Sequence, residues 1–327
     1  MRATPRQIAQ AAEILRTGGV VAFPTETVYG LGADAASAAS VAKIYALKGR
    51  PADHPVIVHL AAAEQVDRWA RNVGPAAQRL AARFWPGPLT LILRRAPGVL
   101  DAVTGGQDSV ALRVPSHPMA QTLLAAFGGG VAAPSANRFG RVSATTAAHV
   151  RAEFGAQVDL ILDGGACAVG IESTIVDVSG ASPVLLRPGG IALHALETAL
   201  GQPIARAGRE APRAPGTLKA HYAPVTPLML IEADVAPELI RSLVRQEKKV
   251  AVLSFSTMRP LLPGLTWVAA PSEPEGYAHA LYANLRELDA SRADVIVAES
   301  PPQRPEWLAV LDRLTRAAAG SAAIEAP

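Results

Sequence analysis

The chain has 327 residues, half of them hydrophobic, and a formal net charge of only +3; this length buries a substantial core, suggests two domains, and the charge argues against a nucleic-acid-coating protein. Its single cysteine, Cys167, excludes an internal disulfide and a cysteine-rich zinc site. No apolar run approaches the ~20 residues that span a bilayer, and no signal-peptide core follows Met1-Arg2-Ala3, so we expect a soluble, cytoplasmic protein.

In chain order, Thr4-Pro5 reads as a helix N-cap with proline at the first helical position, and Gly18-Gly19 ends that helix. Its apolar face is Ile8, Ala11, Ala12 and Leu15. Residues 20–23 form a short buried strand stopped by Pro24, and a loop of hydroxyls, one carboxylate and glycines follows. Ser37 caps a second helix to about Leu47, and 56–58 is the next strand. Residues 62–84 read as two short helices split by Gly74-Pro75. Trp85-Pro86-Gly87-Pro88 is a rigid turn into the strand 89–93, and 110–114 is another strand. Helices near 118–127 and 145–154 bracket a strand and loop at 131–137, before strands at 160–163, 173–178 and 184–187. The pattern predicts a mixed α/β domain with some antiparallel pairing.

Residues 201–227 are rich in Pro, Gly, Ala and Arg and carry no apolar period, as in a linker, yet they include His221-Tyr222-Ala223-Pro224. Strands at 228–231, 250–253 and 295–297, with helices at 236–246, 276–289 and 305–318, then predict a small Rossmann-like or flavodoxin-like module.

The chain lacks the P-loop, H-E-x-x-H and G-x-S-x-G signatures. Gly30-Leu31-Gly32-Ala33-Asp34-Ala35 fits a loose dinucleotide turn, with Asp53 about 20 residues on. Six residues including Pro24 separate it from the preceding strand, however, and a true turn is tight. Thr25, Glu26 and Thr27 fit an ordinary loop cap, Lys48 and Arg50 a solvated helix C-terminus, and His59 a satisfied half-buried ring. What favours function is their combination. Lysine is scarce, yet Lys48 sits beside Arg50, and hydroxyls and cations recur at strand ends: Thr27, His59, Ser109, Arg113, Ser135 and Arg187. Strand ends converge in an α/β sheet, so these groups can share a pocket.

The runs PTETVYGLGADA, LKGRP, FWPGPLTL, VALRVP, APSAN, IESTIVDV and LLRPG, in this order, resemble the YrdC-like family. Ala214-Pro215-Gly216-Thr217-Leu218-Lys219-Ala220-His221-Tyr222-Ala223-Pro224 is similar to the linker of its two-domain branch, the threonylcarbamoyl-AMP synthases. Residues 282–289 carry a looser match. The resemblance implies a YrdC-like twisted mixed sheet with flanking helices over 1–203, a linker acting as an active-site lid over 204–227, and a C-terminal Rossmann-like α/β domain over 228–327. It implies a nucleotidyl transfer. L-threonine, bicarbonate or CO2, and ATP give threonylcarbamoyl-AMP and pyrophosphate, and the product passes to the machinery that modifies tRNA adenosine.

By motif, the resemblance places Lys48, Arg50, Ser135 and Asn137 at the ATP phosphates, with Mg2+ carried there, Ser135 and Asn137 being its candidate protein ligands. Ser109, Ser143 and Arg187 fall at further ATP positions. Thr27, His59, Arg113, Ala133 and Ser173 fall where threonine is held, Arg113 being suited to its carboxylate. Tyr222 is expected to close over the site. His54 stands where asparagine is usual, and Ala214, Thr217 and Ala220 depart from the linker pattern. Two alternatives remain open. One is an RNA-binding or ribosome-maturation module without catalysis; the other is a carbamoyl-adenylate site with a different acceptor, which would call for cysteine pairs and an acylphosphatase domain.

Overall fold

A computed structural model describes residues 4–208, 211–256 and 258–322. The chain divides into two compact units. The first runs to Phe139 and resumes over Ala144–Thr217; the second takes Gly140–Ser143 and the chain from Leu218 onward. The stretch 204–227 is therefore shared between them.

In the first unit the elements begin α1 (Pro5–Arg16), β1 (Val21–Phe23), β2 (Gly30–Asp34), α2 (Ala38–Lys48), β3 (Ile57–His59), β4 (Ala70–Arg71), α3 (Pro75–Phe84) and β5 (Leu89–Arg95). They continue α4 (Asp101–Thr104), β6 (Ser109–Arg113), α5 (Pro118–Phe127), β7 (Val131–Ala132), α6 (Ala147–Phe154), β8 (Leu160–Ile161), β9 (Thr174–Asp177), β10 (Val184–Arg187), α7 (Leu193–Leu200) and β11 (Ala205–Arg206). The strands form one mixed sheet in the order β11-β10-β9-β5-β6-β3-β7-β2-β1-β8, with β4 attached to β5.

Local chemistry explains the best-defined boundaries. Thr4 and Gln7 form a reciprocal capping box at the start of α1, with Pro5 in its first turn. The buried face Ile8, Ala11, Ala12 and Leu15 packs with Phe23, Val131 and α5 residues Leu123 and Leu124. Ser37 caps α2, and Gly49, at φ +61°, ends it in the left-handed region that glycine adopts without strain.

Three differences from the sequence reading bear on function. The run from Gly30 to Asp34 is a strand, paired antiparallel to β1 through Phe23 and Gly30, not a phosphate-binding turn. Its glycines leave room for neighbours: a Cβ on Gly32 would lie 2.7 Å from the Phe23 ring and 2.9 Å from Val131. Within 62–84, only α3 is an α-helix; a 3-10 turn over Ala63–Arg68 leads instead to β4, which pairs Ala70 with Arg95. Residues 193–200, 205–206 and 101–104 form elements that the sequence pattern did not single out.

The second unit contains β12 (Leu228–Ile231), α8 (Ala236–Arg245), β13 (Val250–Ser254), β14 (Thr266–Ala269), α9 (Pro274–Ala290), β15 (Val295–Glu299) and α10 (Leu308–Ala322). Its sheet is parallel throughout, in the order β12-β15-β13-β14, and forms the expected small α/β layer with one strand, β14, beyond those predicted. Ile240, Val250, Val252, Leu265 and Val297 are in its core. Among the described residues no helix is long and apolar enough to cross a membrane.

Candidate active site

Strands β3 and β6 are parallel, with His59 and Arg113 as register partners at their C-terminal ends. Their side chains therefore emerge side by side. Arg113 is buried and fixed from three directions. Its Nη1 donates to Thr27 Oγ1 at 2.8 Å, Nε donates to the Gly87 carbonyl at 3.2 Å, and Nη2 lies 2.7 Å from Glu26 Oε1 in an ion pair. A guanidinium has five N–H donors, so two are left uncommitted among the described residues. The other Glu26 oxygen accepts the Ser116 amide at 3.1 Å.

The hydroxyl order in this loop can be worked out. Thr25 Oγ1 donates its one proton to the Val28 carbonyl at 2.6 Å. In its 2.8 Å contact with Thr27 Oγ1, Thr27 must then be the donor. With its proton committed, Thr27 presents lone pairs to Arg113 and to anything bound beside it.

His59 is buried, edge-on to Phe23 with ring centroids 6.1 Å apart. Burial, reinforced by the Arg113 charge, pushes its imidazole down to about 3, so it is neutral near pH 7. Its Nδ1 is buried and makes no hydrogen bond among the described residues. Ala133 continues from β7, its amide bonded to the Ile57 carbonyl at 2.9 Å. Cys167 lies near this set, and burial pushes its thiol up to about 12, which makes it a poor nucleophile.

A second set surrounds the end of α2. Lys48, its last residue, donates through Nζ to the carbonyls of Ser135 at 2.6 Å and Asn137 at 2.5 Å. The Lys48 carbonyl in turn accepts the Phe139 amide at 2.7 Å. One lysine thus clamps the loop 135–139 from both ends of its own structure. Burial, then the neighbouring Arg50 charge, holds the Lys48 ammonium well below the ordinary lysine range. Arg50 is itself buried; its Nη2 donates to the Pro55 carbonyl at 2.7 Å and its guanidinium lies 5.7 Å from the Phe139 ring centroid. His54 leans on the same ring at 5.4 Å, with Nδ1 3.2 Å from Asp53 Oδ1. Partial burial and Arg50 lower its basicity, leaving an imidazole suited to neutral hydrogen bonding.

Ser173 and Arg187, expected on opposite substrates, meet. Arg187 Nη2 donates to the Ser173 carbonyl at 2.8 Å and to its Oγ at 3.2 Å, while Nη1 donates to the Pro215 carbonyl at 2.8 Å. Ser173 Oγ is also 2.7 Å from Thr90 Oγ1. Ser109 opens β6, opposite Arg94 and about 13 Å along the strand from Arg113. Ser143 and Tyr222 belong to the second unit. There Tyr222 is buried at φ +62°, stacked on Tyr282 at 5.8 Å and 5.0 Å from the Arg313 guanidinium.

Two roles escaped sequence reasoning. Glu26 is the counter-ion of Arg113, and Thr25 orients the Thr27 hydroxyl. The only signal was an acid between two threonines in an apolar setting. The whole arrangement offers fixed cations, hydroxyls and backbone groups, with no activated thiol. Among the described residues no group of three or more His, Cys, Asp or Glu is placed to hold a metal.

The family model described as Telomere recombination, for Sua5, YciO and YrdC proteins, matches residues 13–189. This chain belongs to the Sua5/YrdC family. Residues 191–319 match the model of the threonylcarbamoyl-AMP synthase C-terminal domain, which identifies the two-domain branch. The threonylcarbamoyl-AMP synthase of Bacillus subtilis (strain 168) is 41% identical over 325 residues, covering 96% of this chain and 93% of that protein. That of Pyrococcus abyssi (strain GE5 / Orsay) is 39% identical, covering 95% and 94%. The crystal structure of P. abyssi Sua5 complexed with L-threonine superposes with a TM-score of 0.89 at 38% identity, covering 98% of this chain and 96% of that one. Agreement of this extent with the Sua5/YrdC synthases favours catalysis over an RNA-binding module without it.

Proposed function

We infer that this chain is a cytoplasmic L-threonylcarbamoyladenylate synthase. It converts L-threonine, bicarbonate or CO2, and ATP to threonylcarbamoyl-AMP and pyrophosphate, and its product passes to the machinery that modifies tRNA. The observation that carries this reading is the pairing of two site halves about one strand. Arg113, Thr27 and His59 gather at the C-terminal end of β3, while Arg50 holds Pro55 just before its other end, next to the Lys48 clamp.

In this mechanism the free N–H groups of Arg113 take the threonine carboxylate, and Thr27 accepts from its hydroxyl or amine. Neutral His59 hydrogen-bonds the amino acid without adding positive charge beside Arg113. Ala133 and Ser173 complete that half. The amine adds to CO2 and loses a proton to give a carbamate. A carbamate oxygen then attacks the α-phosphorus, and the bond to the pyrophosphate oxygen breaks. Lys48, Arg50 and Arg187 stabilise the charge that develops, with Ser109, Ser135, Asn137, Ser143 and His54 as further ATP contacts. Binding an anion beside Lys48 favours its charged form and offsets the effect of burial. Tyr222 then acts from the linker to exclude water from the labile adenylate.

Magnesium fits this donor set as a passenger on the nucleotide. Ser135 and Asn137 offer neutral oxygens rather than a carboxylate cage, and Mg2+ is commonly held by substrate phosphates with few protein ligands. When bound it would neutralise phosphate charge.

The test is pyrophosphate release from ATP in bicarbonate buffer, with and without L-threonine. Release that depends on threonine supports the reading. Release that ignores threonine, or no release with all substrates present, overturns it.

A further inference from the structure

Helix α9 carries Tyr282, Arg286 and Asp289 at positions i, i+4 and i+7, on one helical face. Each engages a segment distant in sequence. Tyr282 stacks on Tyr222. Asp289 accepts the amides of Val225 at 2.9 Å and Thr226 at 2.8 Å. Arg286 donates through Nη2 to the Val142 carbonyl at 2.5 Å and through Nε to the Ser143 carbonyl at 3.3 Å. The two gripped segments also hold each other. The Ala223 amide donates to the Gly140 carbonyl at 2.8 Å, and Arg141 Nη1 donates to the Pro224 carbonyl at 3.1 Å.

These bonds explain why Gly140–Ser143 packs with the second unit although both of its flanks belong to the first. The flanks are tied to the candidate site. On one side, the Phe139 amide bonds the Lys48 carbonyl, directly after the loop that Lys48 clamps. On the other, the Ala144 carbonyl accepts the Tyr29 amide at 2.8 Å. An excursion of four residues has little slack, at about 3.5 Å of reach per residue.

We propose that Arg286 is a positioning residue for the nucleotide half of the site, acting through residues 140–143; the proposal rests on the synthase reading above. The planar fork of arginine suits two consecutive carbonyls, which a lysine point charge would not hold in one orientation. Loss of that grip leaves the excursion to its Gly140 and Arg141 bonds with the linker and loosens its flank beside Lys48. The threonine half keeps its own anchors. Backbone bonds from Leu31 to Pro134 and from Ala136 to Tyr29 hold the start of the clamped loop, so the loosening falls on 137–143, while Arg113 keeps its bonds to Thr27, Gly87 and Glu26.

The experiment compares full-length wild type, Arg286→Ala, Arg286→Lys and a control, Arg245→Ala, which removes a surface ion pair with Glu238. It measures kcat and the KM for ATP in threonine-dependent pyrophosphate release, L-threonine binding by calorimetry, melting temperature, and amide exchange across 137–145. Arg286→Ala is expected to raise the KM for ATP by about tenfold and to speed exchange in that segment, with threonine affinity kept. Arg286→Lys should fall between, and the control should match wild type. Wild-type ATP kinetics with unaltered exchange in Arg286→Ala would overturn the proposal. So would equal loss of both ligands with a lowered melting temperature, the signature of a merely structural role. If wild type itself shows no threonine-dependent release, the synthase reading fails, and the exchange result alone decides whether Arg286 holds the loop.

Discussion

Arg113 and Glu26 form a buried ion pair, Nη2 to Oε1 at 2.7 Å, with 4% and 9% of their side chains exposed. Removing either partner leaves the other charge buried, which typically costs about 3–5 kcal/mol. Glu26→Ala is therefore expected to lose stability on that scale in urea unfolding. Arg113→Ala should lose a similar amount and also threonine binding. The double variant should cost less than the sum, because it strands no charge. Single variants as stable as wild type would show that the pair does not anchor the loop.

Lys48 calls for a substitution that separates chemistry from folding. Its Nζ satisfies two carbonyls in a buried place, so Lys48→Ala removes packing as well as charge. Lys48→Met keeps most of the volume and removes a costly buried ammonium. We expect a moderately lowered melting temperature, because two buried carbonyls lose their donor, while turnover falls by roughly 100-fold or more, the scale for losing one charge-stabilising donor. A variant that unfolds but turns over normally when stabilised would assign Lys48 to structure alone.

Much of the fold was legible where local chemistry decides it. Thr4-Pro5 and Ser37 mark helix starts through their own side chains. β2 was hidden because two of its five residues are glycine, which propensity assigns to loops; at Gly32 a Cβ would run into Phe23 and Val131. The site was legible through the resemblance of its motifs, but its internal pairing was not. Glu26 and Arg113 are far apart in sequence, and no local pattern says which cation an acid will face. Membership of Gly140–Ser143 in the second unit was equally invisible, since it depends on Arg286 and the linker backbone.

His59 predicts an acid sensitivity with a definite sign. Folded, it takes a proton only near pH 3; unfolded, it does so near the ordinary histidine value of about 6.5. Between those values the unfolded chain binds more protons, so stability falls as pH drops through the window, by up to about 1.4 kcal/mol per pH unit. His59→Gln removes this contribution. Between pH 6.5 and 5 the wild type should lose about 1.5 kcal/mol more than the variant in matched urea titrations. Equal losses would mean that the folded imidazole is not held neutral by its surroundings.

Residues 211–217 make the last prediction, since they already lie on the first unit's sheet. Arg213 Nη1 is 3.1 Å from Asp53 Oδ2 and its Nη2 donates to the Gly105 carbonyl at 2.9 Å. Its amide donates to Gln107 Oε1 at 2.8 Å, its carbonyl accepts Gln107 Nε2 at 3.0 Å, and the Pro215 carbonyl accepts Arg187. Between these pins Ala214 packs on Ile57, Ile92, Ala111, Ile175 and Leu186. Ala111 lies on β6 two residues from Ser109, and Leu186 directly precedes Arg187, so this apolar floor adjoins two expected nucleotide contacts. On the synthase reading, a purine seated on this floor would compete with the strap, which would then have to move for ATP to bind. The Arg213–Asp53 pair is half-exposed and worth no more than about 1 kcal/mol. Arg213→Ala should therefore tighten a non-hydrolysable ATP analogue by up to about fivefold, leave threonine affinity unchanged, and speed proteolytic cleavage within 211–217. Weaker analogue binding would instead place the pinned strap in the nucleotide-bound form, with Arg213 helping to hold the substrate in.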